Sequence, residues 1–383
     1  MILKKSTDKI LSQNWAKQFL NFVNQPSFAI PFAWIFSVHL YIILLLPSLP
    51  VPNEILSQIP LTQRFLAIWF ANSDGSYYIE IAKSWYQNTS PVFFPAWPIL
   101  IRLTGATFLG TKILALVLTL GFFHLLPKVL KALNFQGKID LEKLIFILVL
   151  YPGTGSLLSP MTEPLYLVLT AATIIVVEKG NYKLGSLFVA VASATRPNGF
   201  LLASYLFIRV ILKGSKIIKK NWSVFPIALS GFLSYFAYLY LKFGSLNIYF
   251  EEQKKWSSSL SFASIWRVFT DSKEIFLQTF SSYKPEPVAL YHFASLFFFI
   301  FIALLSFKKI NKPLWLYSVS VVLLPMLSGV HSSVSRYLLA GFPLLVPFAQ
   351  FIVKNKIVFY AYIFLCILFQ AYFIGRFLNF LSN

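Results

Sequence analysis

Five ionisable residues, Asp74, Glu163, Arg196, His331 and Arg336, stand in separate stretches of a chain that is otherwise strongly apolar. Their types are those of proton transfer and anion binding. A carboxylate accepts a proton, and a planar guanidinium grips phosphate oxygens in bidentate fashion. Ionisable groups at membrane depth are costly and usually functional, so it matters whether one face gathers them.

The segments that must position these residues read as membrane spans. The chain has 383 residues, 57% hydrophobic and 12% charged, where a soluble domain carries about 25% charged residues. Mean hydropathy is +0.69. Apolar runs long enough to cross roughly 30 Å of hydrocarbon recur between residues 28 and 377. An all-α integral membrane protein is expected, a single polytopic domain over 1–383 with no large soluble part. The net charge of +20 would point to nucleic acid in a soluble protein. Here the basic residues fall in short clusters between apolar runs, which is the positive-inside pattern, and no nucleic-acid partner is expected. The single cysteine, Cys366, excludes a disulfide framework or a CxxC zinc site.

Lys4, Lys5, Lys9 and Lys17 precede the first apolar run without an h-region or cleavage site, so residues 1–25 are assigned to the cytoplasm. The first span, 28–46, then leads to a long outer loop, 47–105. A second span, 107–126, returns to Lys128, Lys131, Lys138 and Lys143. A third starts near 144 and a fourth near 164, the latter ending at Lys179 and Lys183. Basic clusters flank 184–212 on both sides, and Arg196-Pro197-Asn198-Gly199 breaks it, which predicts two short helices with Arg196 at the outer turn. After a span at 225–241 comes a second outer loop, 243–288. Spans at 291–307, 314–329, 338–353 and 358–374 follow, making ten or eleven in all. This threading puts all five ionisable residues at one non-cytoplasmic edge, around an outward-facing polar cavity, and confines the polar chemistry to that face.

The sharpest local pattern is Asp74-Gly75-Ser76-Tyr77-Tyr78-Ile79-Glu80-Ile81-Ala82, followed by Phe93-Phe94-Pro95-Ala96-Trp97-Pro98. Tyr78, Ile81, Ala82 and Trp85 repeat at three to four residues. This predicts a short helix lying on its apolar face in the interface, with aromatic rings at headgroup level. Asp74 opens that helix. An N-cap and a chemical role are both open to it, and they do not exclude each other.

Asp-Gly-x-Tyr-Tyr-x-x-Ile-Ala followed by Phe-Phe-Pro-x-Trp-Pro resembles the first luminal loop of the PIG-V-type mannosyltransferases, a family within the GT-C glycosyltransferases. Three further blocks agree in order: Tyr151-Pro152 through Ser159-Pro160-Met161-Thr162-Glu163-Pro164-Leu165-Tyr166; Thr195-Arg196-Pro197-Asn198-Gly199; and Ser335-Arg336-Tyr337 before Phe342-Pro343. The resemblance spans residues 74–343. The family usually has Trp immediately before the aspartate, where this chain has Ser73.

The resemblance implies a GT-C-type bundle of about ten or eleven transmembrane helices with interfacial helices in the first outer loop. It implies inverting transfer of a sugar, mannose in that family, from a polyprenyl-phosphate donor to a lipid or glycan acceptor hydroxyl. Asp74 would be the base, and Arg196 and Arg336 would hold the leaving phosphate. Interfacial snorkelling or an ion pair with Glu163 is the other reading of the arginines. His331, Glu163, Asn198 and Tyr78 are candidates for substrate contacts, with Glu163 alternatively holding an arginine and Asn198 capping the broken helix. No metal or other cofactor is expected, since a lipid monophosphate carries less charge than a nucleotide diphosphate. No GxxxxGK or GxGxxG stretch occurs, which fits a lipid-borne donor. Membrane lipids are expected partners, in a bacterial plasma membrane or, in a eukaryote, the endoplasmic reticulum. The alternative is a secondary transporter or flippase for a lipid-linked or anionic substrate.

Overall fold

Within hydrocarbon, every backbone N–H and C=O needs a partner inside the protein, so apolar runs of this length fold as helices. The computed structural model describes residues 17–45, 65–66, 69–70, 73–87, 89–135, 139–255, 270, 287–327 and 334–378. Residues 1–16, 46–64, 256–269 and 271–286, and the candidate His331, lie outside the described residues. Among those described there is no strand.

The helices are α1 (Pro26–Leu45), α2 (Gly75–Ser84), α3 (Ala96–Leu103), α4 (Phe108–Ala132), α5 (Leu141–Leu150), α6 (Glu163–Glu178), α7 (Tyr182–Ser193) and α8 (Leu201–Ile211). After these come α9 (Ser215–Lys220), α10 (Val224–Phe243), α11 (Ile248–Lys255), α12 (Pro287–Ser306), α13 (Lys312–Leu327), α14 (Val334–Ala340), α15 (Leu345–Ile352) and α16 (Lys356–Leu378). Several starts follow from a side chain that satisfies a free N–H of the first turn. Thr107 accepts from Gly110 N at 3.1 Å, Asp140 from Lys143 N at 3.2 Å and Asn181 from Leu184 N at 3.2 Å.

By length and composition, α1, α4, α10 and Lys356–Gly375 of α16 can each cross a membrane. The α5 segment and the 3-10 turn after it (Pro152–Leu158) make a fifth crossing if a pair bent by 78° counts as one. The rest of the ten or eleven expected spans fall on shorter apolar helices, among them α7 and part of α13. The predicted break in 184–212 is present: α7 ends at Ser193, and Arg196 leads into a 3-10 turn, Pro197–Phe200, before α8.

The bend after α5 arises at Tyr151-Pro152, because Pro lacks an N–H and disfavours helical geometry in the residue before it. The carbonyls this frees are satisfied from elsewhere. Thr154 Oγ1 donates to Leu148 O at 2.6 Å. Gln370, buried on α16, donates to Val149 O at 2.9 Å while its Oε1 accepts from Trp34 Nε1 of α1 at 2.9 Å. One amide thus ties three helices together at the kink.

Helix α7 lies between α6 and α10, α4 packs on α6, and α1 packs on α4 and α5. The α7–α10 approach is close. A Cβ on Gly231 would stand 1.8 Å from Ala190 O, so the two backbones meet only because that side chain is absent. Gly231→Ala is expected to destabilise the protein by about 1–3 kcal/mol, the usual range for overpacking. A lowered unfolding midpoint in detergent would show it, and an unchanged midpoint would mean the contact is looser.

Helix α4 joins two chemically different ends roughly 35–40 Å apart. Its first turn meets the Asp74 segment, with the Phe70 and Phe108 rings 4.7 Å apart, and its last turn reaches the lysine-rich end. Polar side chains gather at the lysine-rich end as well. At the lysine-rich end Glu178 accepts from Tyr205 Oη at 2.7 Å and Asn311 Nδ2 at 3.1 Å, and pairs with Arg209. In sequence Glu178 is hidden beside Lys179, and only folding brings Arg209 to it.

Candidate active site at the Asp74 end

The Asp74 segment is built by local bonds. Ser73 Oγ donates to Trp69 O at 2.8 Å and accepts from Gly75 N at 3.2 Å. Ser73 therefore does the N-terminal work for α2. Asp74 itself makes no cap hydrogen bond, so the N-cap reading is corrected: its φ of −59° and ψ of −7° are already helical. Its side chain is left to pair elsewhere. Helix α2 packs on protein along its apolar face. Tyr78, Ile79, Ile81 and Ala82 are buried against protein, with Tyr78 edge-on to Phe93 at 5.1 Å.

The sequence blocks converge through backbone contacts. Trp97 Nε1, fully buried, donates to Pro160 O at 3.0 Å. Ala96 N donates to Ala194 O at 2.9 Å, and Tyr151 Oη to Ser335 O at 3.1 Å. The turn at Pro197–Phe200 tucks under α7 because position 199 is glycine; a Cβ there would lie 1.9 Å from Ala192 O. These four joints bring the Asp74, Glu163, Arg196 and Arg336 segments together.

Their side chains form one ionic chain. Arg336 Nη1 lies 3.6 Å from Asp74 Oδ2, and Arg336 Nε lies 3.2 Å from Glu163 Oε1. Arg196 Nη1 donates to the same Glu163 oxygen at 3.1 Å. Glu163 is thus the hub, only 4% exposed at its side chain, whereas Asp74 keeps 35% of its side chain open. Two carboxylates face two guanidiniums, so the set is charge-balanced at rest. Glu163 Oε2, Arg196 Nε and Arg336 Nε are buried without hydrogen-bond partners. Buried polar atoms in folded proteins are normally satisfied, so three in one cluster mark unused capacity for a polar ligand.

Burial raises Asp74 above the usual carboxylate range; the Arg336 charge opposes this and the Glu163 charge adds to it. Burial likewise pushes the Tyr78 hydroxyl well above its ordinary value, and the Asp74 charge reinforces that. Tyr78 thus stands protonated beside the cluster.

Arg196 lies 5.5 Å from the centroids of both the Tyr166 and Tyr337 rings, which fixes its plane. Asn198 is not brought into the ionic set: its Nδ2 reaches Val321 O of α13 at 3.5 Å, a packing contact. Among the described residues no group of three or more His, Cys, Asp or Glu side chains gathers to hold a metal.

Sequence reading missed Met161, whose Sδ accepts from Arg336 Nη1 at 3.0 Å, and Tyr337 beside the two arginines. It also missed Lys112. That lysine is buried in α4, bonded to Leu158 O, with Nζ 3.1 Å from the Trp69 ring centroid. A lysine inside an apolar run was the signal that could have found it.

No protein family matches this chain, and no protein of characterised function or solved structure does either.

Proposed function

We propose that this chain is an inverting glycosyltransferase of GT-C type, built on a bundle of about ten or eleven membrane crossings. It moves a sugar, mannose by the resemblance of its motifs, from a polyprenyl-phosphate donor to an acceptor hydroxyl at the Asp74 face. That face is the non-cytoplasmic one, in a bacterial plasma membrane. The observation that carries the reading is the Asp74–Arg336–Glu163–Arg196 chain, in which a partly open carboxylate stands next to guanidiniums with unpartnered buried N–H groups.

In this reading the acceptor oxygen attacks the anomeric carbon as Asp74 takes its proton. The bond from that carbon to the phosphate oxygen breaks, and the electron pair leaves with the polyprenyl phosphate. Arg336, already between Asp74 and Glu163, turns toward the phosphate and stabilises the charge that develops there. As Arg336 does so, Asp74 loses the partner that holds down its basicity. Glu163 and Arg196 hold Arg336 in range.

The test is to supply purified protein in lipid with labelled polyprenyl-phosphate mannose and lipid acceptors. Labelled product together with released polyprenyl phosphate is expected; no transfer to any acceptor would defeat the reading. Transfer is expected to persist in EDTA, because two guanidiniums can neutralise a lipid monophosphate. Activity abolished by EDTA and restored by Mn²⁺ or Mg²⁺ would show otherwise.

Helix breaks at Pro152, Arg196 and Gly341 favour a second reading, a transporter or flippase, since broken helices often bind ions. Such sites usually lie at the membrane midplane. The Glu163 cluster instead sits at the first turn of α6, and translocation of labelled lipid without transfer would decide for the alternative.

A further inference from the structure

The lysine-rich end holds a second feature that the transfer chemistry does not use. A cavity of about 250 Å³ opens there, lined by Asn134, Glu178, Arg209, Lys309 and Asn311 together with the end of α4. The carbonyl ends of the helices around it are largely satisfied. Phe135 N donates to Leu130 O at 2.8 Å and Asn181 N to Val176 O at 2.9 Å, closing α4 and α6.

Both Glu178 oxygens are taken, one by Tyr205 and Asn311 and the other by Arg209. What remains unspent is donor capacity. Arg209 Nε is buried with no partner, and Lys309, which lines the cavity, is an exposed residue. Lys131, Lys179, Lys308 and Lys312 each adjoin a residue of the lining in sequence, so the segments that form the cavity carry more basic than acidic residues.

Exposed apolar side chains stand near the lining residues in sequence. Ile211 and Leu212 stand just past Arg209, and Leu304 and Phe307 just before Lys309, all exposed at 45–72% of their surface. A polar cavity with spare guanidinium and ammonium donors, edged by lipid-facing side chains, matches an anion carried on acyl chains.

We infer that this cavity binds a phosphate group, and that a phospholipid headgroup from the leaflet on the lysine-rich side supplies it. Arg209 Nε and Lys309 Nζ donate to the phosphate oxygens, Glu178 holds Arg209 in its plane, and the acyl chains lie along the Ile211 and Leu304 surfaces. The site is independent of the Asp74 chemistry and stands whether or not sugar transfer is observed.

The experiment uses the full chain in lipid nanodiscs of phosphatidylcholine alone or with phosphatidylglycerol. Lipid retention is counted by native mass spectrometry, and the unfolding midpoint is measured in parallel. Phosphatidylglycerol is expected to be retained and to raise the midpoint. Lys309→Gln should weaken retention about fivefold, the factor that one lysine near an anionic lipid carries. Lys219→Gln, the same charge change on α9 away from the cavity, should leave retention unaltered. The double variant Glu178→Gln with Arg209→Gln removes the guanidinium donor without stranding a buried charge, and should abolish retention while the protein still folds.

Equal losses in Lys309→Gln and Lys219→Gln would reduce the effect to surface charge and overturn the site. So would the absence of any phosphatidylglycerol effect together with no response to inorganic phosphate. A midpoint raised by inorganic phosphate in phosphatidylcholine discs, lost in Lys309→Gln, would keep the phosphate site and assign it a soluble ester instead of a lipid.

Discussion

Asp74→Asn is expected to lower sugar transfer by about 10²–10⁴-fold, the usual contribution of a positioned general base, while the protein folds as before. The substitution keeps the shape of the side chain and removes only its ability to take a proton. Its effect on folding should be small. The Arg336–Asp74 pair is 3.6 Å long, beyond hydrogen-bond distance, so it contributes little to holding Arg336. Arg336 also retains Glu163 at 3.2 Å. An unfolding midpoint within a few degrees of the parent, with transfer lost, is the predicted pair of results. Full activity in Asp74→Asn would remove Asp74 from the chemistry.

The pH profile gives the same residue a second test. Asp74 acts as a base only when deprotonated, and burial raises its pKa above the usual carboxylate range. As pH falls through that raised value the active form is lost, so the acid limb of the rate should lie higher than for a solvent-exposed aspartate. Arg336→Gln removes the nearest positive charge and should move the limb higher still. A limb at the ordinary carboxylate position in both proteins would place the base elsewhere.

Glu163→Gln is expected to have the opposite signature, a loss of stability as large as its loss of function. Glu163 is the shared partner of both arginines, and its side chain is 4% exposed. Neutralising it leaves Arg196 with no carboxylate partner among the described residues, and Arg336 with only the longer contact to Asp74. Removing one member of a buried ion pair typically costs about 3–5 kcal/mol, because the remaining charge is stranded away from water. Adding Arg196→Gln removes the stranded charge and should restore part of that loss. A double-mutant cycle showing no coupling between positions 163 and 196 would mean that the bond at 3.1 Å contributes nothing to folding.

The apolar runs and the break at Arg196-Pro197 follow from residue type and spacing. They depend on backbone satisfaction within one segment, which a chain carries wherever it goes. The predicted span at 225–241 accordingly lies inside α10, Val224–Phe243, and that at 358–374 inside α16. The gathering of Asp74, Glu163, Arg196 and Arg336 was legible through the lysine clusters alone, since the threading they impose sends all four segments to one end.

Partner choice was not legible. Nothing in the spacing says that Glu163 is the hub, that Ser73 instead of Asp74 serves the start of α2, or that Asn198 faces α13. The ionic partners are settled by distances of a few ångströms between residues 33 to 262 positions apart, and the role of Ser73 by its bonds to Trp69 and Gly75. The same reason hid the lysine-rich cavity: hydropathy registers Glu178 as one charge among lysines, and only the packing of α6, α8 and α13 turns it into the centre of a site. The sequence by itself determined which long apolar segments are helical and that Asp74, Glu163, Arg196 and Arg336 share one end. Tertiary packing decided which of those residues touch, because pairing energies act only at contact.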